Sequence, residues 1–211
     1  MFRLLKKNIK RVLFSARKLL GQEFVEFHHF PFNEMSPLPS GADKEMNMVC
    51  KFLEENKINY RITDGTILGL YRNNAFIPHD NDIDIDLLDV INSKYLISEM
   101  IKKHSYKVGR IVYYKGKVQQ VAFYNKRNVT VDFIFWYTND NYLYNYQERG
   151  YERKQETKYF NKLDVFNYKG NEYKIPGFIE DWLVFRYGSD WNVPKTYKGD
   201  WKDECGDLKQ L

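Results

Sequence analysis

The stretch Asp82-Ile83-Asp84-Ile85-Asp86-Leu87-Leu88 alternates acidic and apolar residues with a period of two. This is the spacing of a β-strand, in which successive side chains point to opposite faces. The sequence therefore predicts a strand with three aspartates on one face and isoleucines on the other. Strands disfavour aspartate, and carboxylates about 6–7 Å apart on one face repel one another. A bound Mg²⁺ or Mn²⁺ would resolve that conflict, because hard cations prefer carboxylate oxygens.

A further aspartate, Asp132, lies inside the apolar and β-branched run of residues 129–135. A carboxylate buried in such a strand is costly unless it is paired or bound to a cation. If the two strands are neighbours, Asp132 joins Asp82 and Asp84 in one metal-binding cluster. Taken alone, Asp132 favours the alternative of a hydrogen bond to an arginine or to a backbone turn. Taken with Asp82 and Asp84, it favours the metal site.

The acidic strand is preceded by Gly65-Thr66 and a predicted helical turn over residues 66–72. Glycine allows close approach of a phosphate, threonine offers a hydroxyl, and a helix N-terminus favours anions. Arg72, at the end of the turn, is a candidate phosphate clamp. The alternatives are an ordinary strand-to-helix turn and a surface arginine.

The remaining sequence predicts helices and strands in mixed order, which is typical of an α+β domain. Residues 22–42 contain three prolines and show no period, so we interpret them as a connector. The predicted helices cover residues 43–57 (capped by Ser40 or Asp43), 91–104 and 178–187. The predicted strands cover residues 59–64, 111–115, 118–124 and 129–135, with loops and short strands over 140–174 and an irregular final twenty residues.

Composition and charge exclude several classes of protein. The chain has 211 residues, 43% of them hydrophobic, which is enough for one packed domain with an extension. Its net charge of +5 comes from seven basic residues within residues 1–22, and the rest holds 26 basic against 28 acidic residues. This argues against a broad nucleic-acid-binding face. The two cysteines, Cys50 and Cys205, form no CxxC motif, which argues against structural zinc and favours a reducing, cytosolic compartment.

Residues 2–20 carry apolar side chains at helical spacing and basic side chains largely on the other side. One interpretation is an amphipathic helix on an anionic membrane surface. The other is a helix packed on the domain, with a solvated basic face. The one-sided charge favours the membrane. No stretch is long and uncharged enough to predict a transmembrane helix.

Four separated motifs together resemble the LicD/fukutin family. Residues 64–72 match its Gly-Thr-Leu-Leu-Gly-x-x-Arg stretch, and residues 76–85 match its Ile-Pro-Trp-Asp-Asp-Asp-Ile-Asp motif. Residues 131–135 are similar to its downstream aspartate strand, and residues 182–194 to its closing helix and Tyr-Gly-x-x-Trp. The resemblance covers about residues 43–195. It implies a catalytic domain over residues 43–211, preceded by a helix and connector over 1–42.

The sequence departs from the family pattern next to the acidic strand. His79 stands where the family usually has tryptophan, and Asn81 stands where an aspartate is common. Both positions flank the predicted site and could alter the choice of donor. Asp86 is commonly not acidic in the family, so of the strand aspartates it is the least expected ligand.

The resemblance implies a nucleotidyltransferase-type mixed sheet flanked by helices, with the N-terminal amphipathic helix as an extension. It implies transfer of phosphocholine, ribitol phosphate or glycerol phosphate from a CDP-activated donor to a hydroxyl of a cell-surface glycan, such as lipopolysaccharide or capsule. The matching residues would bind Mg²⁺ or Mn²⁺ (Asp82, Asp84, Asp132), take the hydroxyl proton (Asp80 or Asp132) and bind substrate (Gly65, Thr66, Arg72, His79).

Lipid-linked glycan acceptors would place the protein on the inner face of the membrane, as a cytoplasmic, peripheral protein. Two other functions stay open. The same carboxylates serve an enzyme that transfers NMP from an NTP and releases pyrophosphate. A non-catalytic, membrane-associated accessory protein is the third hypothesis, which the intact set of carboxylates argues against.

Overall fold

We describe a computed structural model that covers residues 2–147, 150–195 and 205–211, with side chains from residue 8 onward. Helices and strands are mixed along this part of the chain, as an α+β fold requires. In chain order they are α1 (Phe2–Leu19), β1 (Phe24–His28), α2 (Ala42–Glu55), β2 (Tyr60–Ile62), α3 (Asp64–Asn73), β3 (Asp82–Leu88), α4 (Ser93–His104), β4 (Lys107–Tyr114), β5 (Lys117–Tyr124), β6 (Thr130–Asn139), β7 (Tyr142–Gln147), β8 (Tyr151–Glu156), α5 (Lys158–Asn161), β9 (Asp164–Tyr168), β10 (Asn171–Ile175), α6 (Ile179–Tyr187) and β11 (Leu208–Gln210).

Nine of the described strands form one mixed sheet in which β6 is the central strand. Its first half pairs with β5 on one side and with β3 on the other. Its last residues pair with β7, which continues the sheet into β8 and β11. The β3–β6 pair is parallel, and the other described pairs are antiparallel. The β9–β10 hairpin stands apart from this sheet.

The isoleucine face of β3 is buried in the core. Ile83 and Ile85 are inaccessible to solvent, as are Val131 and Phe133, their register partners on β6. Apolar residues of α2 and α4 belong to the same buried cluster. Burial of each large apolar side chain contributes roughly 1.5–3 kcal/mol, so the core fixes which way β3 faces. The aspartates at alternate positions therefore point to the other side of the sheet.

The structure confirms the strand predicted at residues 82–88 and the helices predicted at 43–57, 91–104 and 178–187, with ends shifted by one or two residues. It also contains the strands predicted at 59–64, 111–115, 118–124 and 129–135 and the short strands predicted within 140–174. The predicted capping of α2 is wrong. Gly41 stands at its N-cap with φ 86°, and no side chain caps it.

The interpretation of residues 22–42 as a connector without regular structure is wrong in part. Residues Phe24–His28 form β1, which pairs with β4 along its whole length. Val25 and Phe27 are buried while their neighbours are not, so the alternation was present in the sequence, although the nearby prolines obscured it. β1 thus belongs to the main sheet, although it precedes residue 43, where the predicted catalytic domain begins.

The final twenty residues are also more ordered than predicted, since β11 pairs with β8. Residues 196–204 of that stretch lie outside the described residues. None of the helices in the described part of the chain combines the length and the apolarity that crossing a bilayer requires. The amphipathic role predicted for the N-terminal helix stays a prediction.

Candidate active site

One row of side chains crosses five strands on the face of the sheet opposite the core. Asp84 on β3 pairs in register with Asp132 on β6, and Asp132 pairs with Ala122 on β5. Ala122 pairs with Arg110 on β4, and Arg110 pairs with His28 on β1. Register partners project from the same face of a sheet. The parallel β3–β6 ladder therefore brings the two predicted acidic strands together with their aspartates side by side.

Three aspartates lie close enough to share one cation. Carboxylate oxygens of Asp82, Asp84 and Asp132, one from each residue, lie within 4.8 Å of one another. Two oxygens that each lie about 2.1–2.4 Å from a common cation are separated by at most about 4–5 Å, so this spacing fits Mg²⁺ or Mn²⁺. The structure thus brings together the three residues predicted as metal ligands. Their role as ligands stays a prediction.

Asp132 is oriented by two side chains that the sequence analysis did not single out. Its Oδ2 atom accepts a hydrogen bond from Gln120 Nε2 at 2.9 Å and another from the guanidinium of Arg110. Its Oδ1 atom is buried and has no hydrogen-bond partner among the described residues. An unsatisfied buried carboxylate oxygen is costly, and a cation would satisfy it.

The cluster carries more negative charge than its surroundings offset. Burial, followed by the nearby charges of Asp80 and Asp132, raises the pKa of Asp82 well above its ordinary value. Burial and the charge of Asp82 do the same to the pKa of Asp84. Burial also raises the pKa of Asp80 to about 6. A cation between the carboxylates would lower these pKa values again, because it stabilises the ionised forms.

Gly65 contacts Asp80, which no sequence argument anticipated. A Cβ atom added at Gly65 would lie 2.6 Å from Oδ2 of Asp80, so the missing side chain makes room for this carboxylate. That oxygen is buried and has no hydrogen-bond partner among the residues described. The absence of a side chain at Gly65 therefore leaves room for the carboxylate of Asp80 next to the cluster. Its predicted contact with a phosphate stays a prediction.

Thr66 is placed differently from the prediction. Its side chain is fully buried, and its Oγ1 atom accepts a hydrogen bond from the backbone N–H of Asp84 at 2.8 Å. A hydroxyl in this position holds β3 against the start of α3. It supports a cluster residue, and its predicted contact with a phosphate stays a prediction.

The strand aspartate that was least expected as a ligand, Asp86, has a structural partner instead. Its Oδ2 atom accepts hydrogen bonds from Arg61 Nε at 2.8 Å and Nη2 at 2.7 Å, and both side chains are fully buried. Burial raises the pKa of Asp86, and the charge of Arg61 opposes that shift. Asp86 is therefore committed to an ion pair, although it shares a face with Asp84.

A second buried ion network holds the start of α3. Arg153 contacts both carboxylate oxygens of Asp64, at 2.8 and 3.0 Å, and Arg186 Nε contacts it at 2.8 Å. Asp207 joins the two arginines at 2.8 and 3.1 Å. Burial alone would raise the pKa of Asp64, but the two arginines outweigh it and lower that pKa. This network fixes the turn that carries Gly65.

The two remaining predicted substrate-binding residues are Arg72 and His79. Arg72 is partly buried, and its Nη1 atom donates a long hydrogen bond of 3.4 Å to the backbone oxygen of Trp191. Its Nε atom is buried without a partner among the described residues, so the guanidinium retains donor capacity. His79 is exposed next to Asp80. Asn81 donates to the backbone oxygen of Glu34 at 2.5 Å and so ties the segment after β1 to the site.

The model of the LicD/FKTN/FKRP nucleotidyltransferase domain matches residues 57–177, more than half of the chain. The chain belongs to this family. The matched region contains the three clustered aspartates, Gly65 and Arg72. The family assignment made from the sequence motifs is therefore confirmed.

Curated relatives include the ribitol-5-phosphate transferase FKTN of mouse and of human. The mouse protein is 24% identical over 173 residues and the human protein 24% identical over 176 residues. Each match covers 76% of this chain but only 35% of the relative, so the chain spans about a third of their length. Among solved structures, the lincomycin-bound lincosamide antibiotic adenylyltransferase LnuA has 16% identity and a TM-score of 0.47, covering 67% of this chain and 82% of that one.

Because Asp84 lacks a counter-charge and Asp86 has one, replacing each of them by asparagine should have opposite effects on the stability of the protein. Because the pKa of Asp84 is raised in the folded protein, ionisation of its carboxyl at neutral pH costs folding free energy. In a buffer with chelator at pH 7.5, Asp84→Asn should stabilise the protein by roughly 1 kcal/mol, or 2–4 °C in melting temperature. Asp86→Asn should destabilise it by about 3 kcal/mol, because Arg61 loses its counter-charge.

Thermal unfolding of both variants between pH 4 and pH 8 tests this contrast. The gain for Asp84→Asn should shrink as the pH approaches the ordinary aspartate value of 3.8, where the carboxyl is protonated in both states. Equal destabilisation by the two substitutions would contradict the electrostatic description of the cluster.

Proposed function

We propose that this chain transfers a phospho-alcohol from a CDP-activated donor to a hydroxyl of a cell-surface glycan. The phospho-alcohol is of the phosphocholine, ribitol phosphate or glycerol phosphate type. Family membership and the ribitol-5-phosphate transferase relatives support this class of reaction. The observation that carries the proposal is the convergence of Asp82, Asp84 and Asp132 on one point of the sheet.

In this proposal Asp82, Asp84 and Asp132 hold Mg²⁺ or Mn²⁺. The all-oxygen donor set, the spacing within 4.8 Å and the unsatisfied Oδ1 atom of Asp132 support a hard divalent cation. Such a cation offsets the negative charge of the donor diphosphate and of the departing CMP when it is bound.

Several residues of the chain position the cluster and take no part in the chemistry themselves. Arg110 and Gln120 both engage Oδ2 of Asp132 and leave Oδ1 without a hydrogen-bond partner among the described residues. Thr66 fixes the backbone of Asp84 from the opposite side. Preorganisation of this kind matters because ligands held in place need no rearrangement when the charged donor arrives.

Asp80 is the better placed of the two candidate bases. Asp132 uses Oδ2 for Arg110 and Gln120 and, in this proposal, Oδ1 for the cation, so neither oxygen remains for an acceptor hydroxyl. The Oδ2 atom of Asp80 lacks a hydrogen-bond partner among the described residues. We propose that Asp80 accepts the proton as the glycan hydroxyl attacks phosphorus and CMP leaves.

The donor-binding residues follow from the same geometry. Arg72 retains an unsatisfied Nε atom and only a long bond to a backbone oxygen, so its guanidinium can turn to the donor diphosphate. His79 is exposed beside Asp80, where it can contact the nucleotide or the transferred alcohol. The backbone at Gly65 is the third predicted contact.

Incubation of the purified protein with CDP-choline, CDP-ribitol and CDP-glycerol and Mg²⁺ tests the proposal. We expect one donor to release CMP, with stimulation by a glycan acceptor. Asp84→Asn should reduce the rate by at least about 100-fold, because it removes a ligand and not merely its support. Asp140→Asn is the matched control, since Asp140 is exposed at a turn with φ 53°, which asparagine tolerates.

Other outcomes would replace the proposed function. Pyrophosphate release from an NTP, with no CMP from any CDP-alcohol, would favour NMP transfer. Turnover that is unchanged in Asp84→Asn would remove the cluster from the reaction. Absence of both activities in a folded protein that binds no donor would favour an accessory role.

The contact between Gly65 and Asp80 gives an independent prediction about the base. Gly65→Ala should displace the Asp80 carboxylate, because the new methyl group would lie 2.6 Å from Oδ2. We expect Gly65→Ala and Asp80→Ala each to lower kcat by roughly 10²–10⁴-fold, the range typical of a lost general base. The double variant should be no slower than Asp80→Ala alone. Fully additive losses in kcat would contradict this pairing.

A further inference from the structure

Among the described side chains of α1, from residue 8 onward, Phe14, Lys18 and Lys10 contact the domain. Phe14 packs against Tyr113, with ring centroids 5.8 Å apart, and the Lys18 ammonium lies 3.7 Å from the centroid of the same ring. Lys10 Nζ donates a hydrogen bond of 2.9 Å to the backbone oxygen of His28. These three residues lie on the docked side of α1.

The apolar side of α1 faces solvent. At about 100° per residue, Phe14 and Lys18 lie roughly 140–180° from Ile9 around the helix, whereas Val12, Leu13, Leu19 and Leu20 lie within roughly 80° of Ile9. We call Ile9, Val12, Leu13, Leu19 and Leu20 the outer stripe. Their exposed fractions are 51% (Ile9), 68% (Val12), 53% (Leu13), 89% (Leu19) and 79% (Leu20).

This orientation decides between the two interpretations of the basic N-terminal helix. A helix that only stabilises the domain would bury its apolar stripe against the core, but here the outer stripe points away from the protein. Large exposed apolar surfaces with charged borders mark contacts with other molecules or membranes. Lys10 and Lys18 contact the domain, and the five other basic residues of residues 1–22, with no acidic residue in that range, fit an anionic partner.

We propose that α1 lays the outer stripe onto an anionic lipid bilayer while its opposite side stays docked on β1 and β4. Apolar side chains inserted at the headgroup boundary, with basic side chains near anionic headgroups, form the pattern of an interfacial helix. The protein is then peripheral, on the face of the membrane that faces the cytoplasm.

The docking site of α1 also relates the membrane to the carboxylate cluster. β1, which α1 contacts, lies four strands away from β3 in the sheet. At about 4.8 Å per strand, the cluster is roughly 20 Å from β1. This step rests on the proposed function: a lipid-linked glycan anchored in the same bilayer would lie within reach of the site.

Co-sedimentation of the full chain with vesicles tests the proposal. We expect binding to vesicles of phosphatidylcholine with phosphatidylglycerol, at least tenfold weaker binding to phosphatidylcholine alone, and partial release by 0.5 M NaCl. The variant Val12→Ser/Leu13→Ser should lose at least tenfold in vesicle affinity. Both side chains are exposed, so folding should be unaffected, which circular dichroism and the melting temperature will check.

The matched control is Ile91→Ser/Val165→Ser, which removes two exposed apolar side chains elsewhere on the surface. It should bind vesicles like the unmodified chain. Equal binding by both double variants, or equal binding to neutral and anionic vesicles, would overturn the proposal. Dimers that dissociate in Val12→Ser/Leu13→Ser, with no vesicle binding by the unmodified chain, would also overturn it, because a second copy would then cover the stripe.

Vesicle binding and CMP release can be measured independently of each other. CMP release with a soluble acceptor should be equal in Val12→Ser/Leu13→Ser and in the unmodified chain, since neither residue lies near the carboxylate cluster. Vesicle binding by a chain that releases no CMP would leave the membrane proposal standing and overturn the proposed function alone.

Discussion

The parallel register between β3 and β6 is the constraint on which the site depends. It places Asp84 beside Asp132 on one face of the sheet and Ile85 beside Phe133 on the other. A shift of one residue would exchange the two faces, so burial of the apolar partners also enforces the position of the carboxylates. The core thus supplies the free energy that holds like charges together. This explains how a fold can tolerate an acidic cluster whose members repel one another.

Carboxylates in this protein divide into two groups by their partners. Asp64 and Asp86 face arginines in two buried networks, which we call the frame: the first joins α3 to β8 and α6, and the second joins β3 to β2. The clustered aspartates have far less compensation, with Arg110 on Asp132 as their main cationic contact. Burial without sufficient counter-charge is the signature of a site prepared for a positively charged ligand. The charges of the frame balance one another, whereas the proposed function requires a cation to balance those of the cluster.

The sequence predicted the parts of the site that follow from local periodicity. β3 was found residue for residue because its alternation is strict, and Asp132 because it interrupts an apolar strand. Arg110 was missed because the register of β4 shifts between Val108 and Arg110, so the alternation of side chains along the sequence does not show which face of the sheet Arg110 is on. Arg153 was missed because its contact with Asp64 spans 89 residues, and no local pattern encodes such a pairing. Thr66 was singled out as a phosphate contact, but its hydroxyl accepts a hydrogen bond from the backbone of β3. That contact depends on how α3 packs against β3, which no local sequence pattern shows.

If the buried acidic cluster is a cation site, the unmodified chain must bind Mn²⁺, which titration measures without any assumption about the substrate. Isothermal titration calorimetry in two buffers of different ionisation enthalpy would measure both affinity and proton release. We expect saturable binding that releases protons below pH 7, that is lost in Asp132→Asn and that persists in Asp140→Asn. Mn²⁺ binding of equal affinity in Asp132→Asn, or no binding by the unmodified chain, would contradict it.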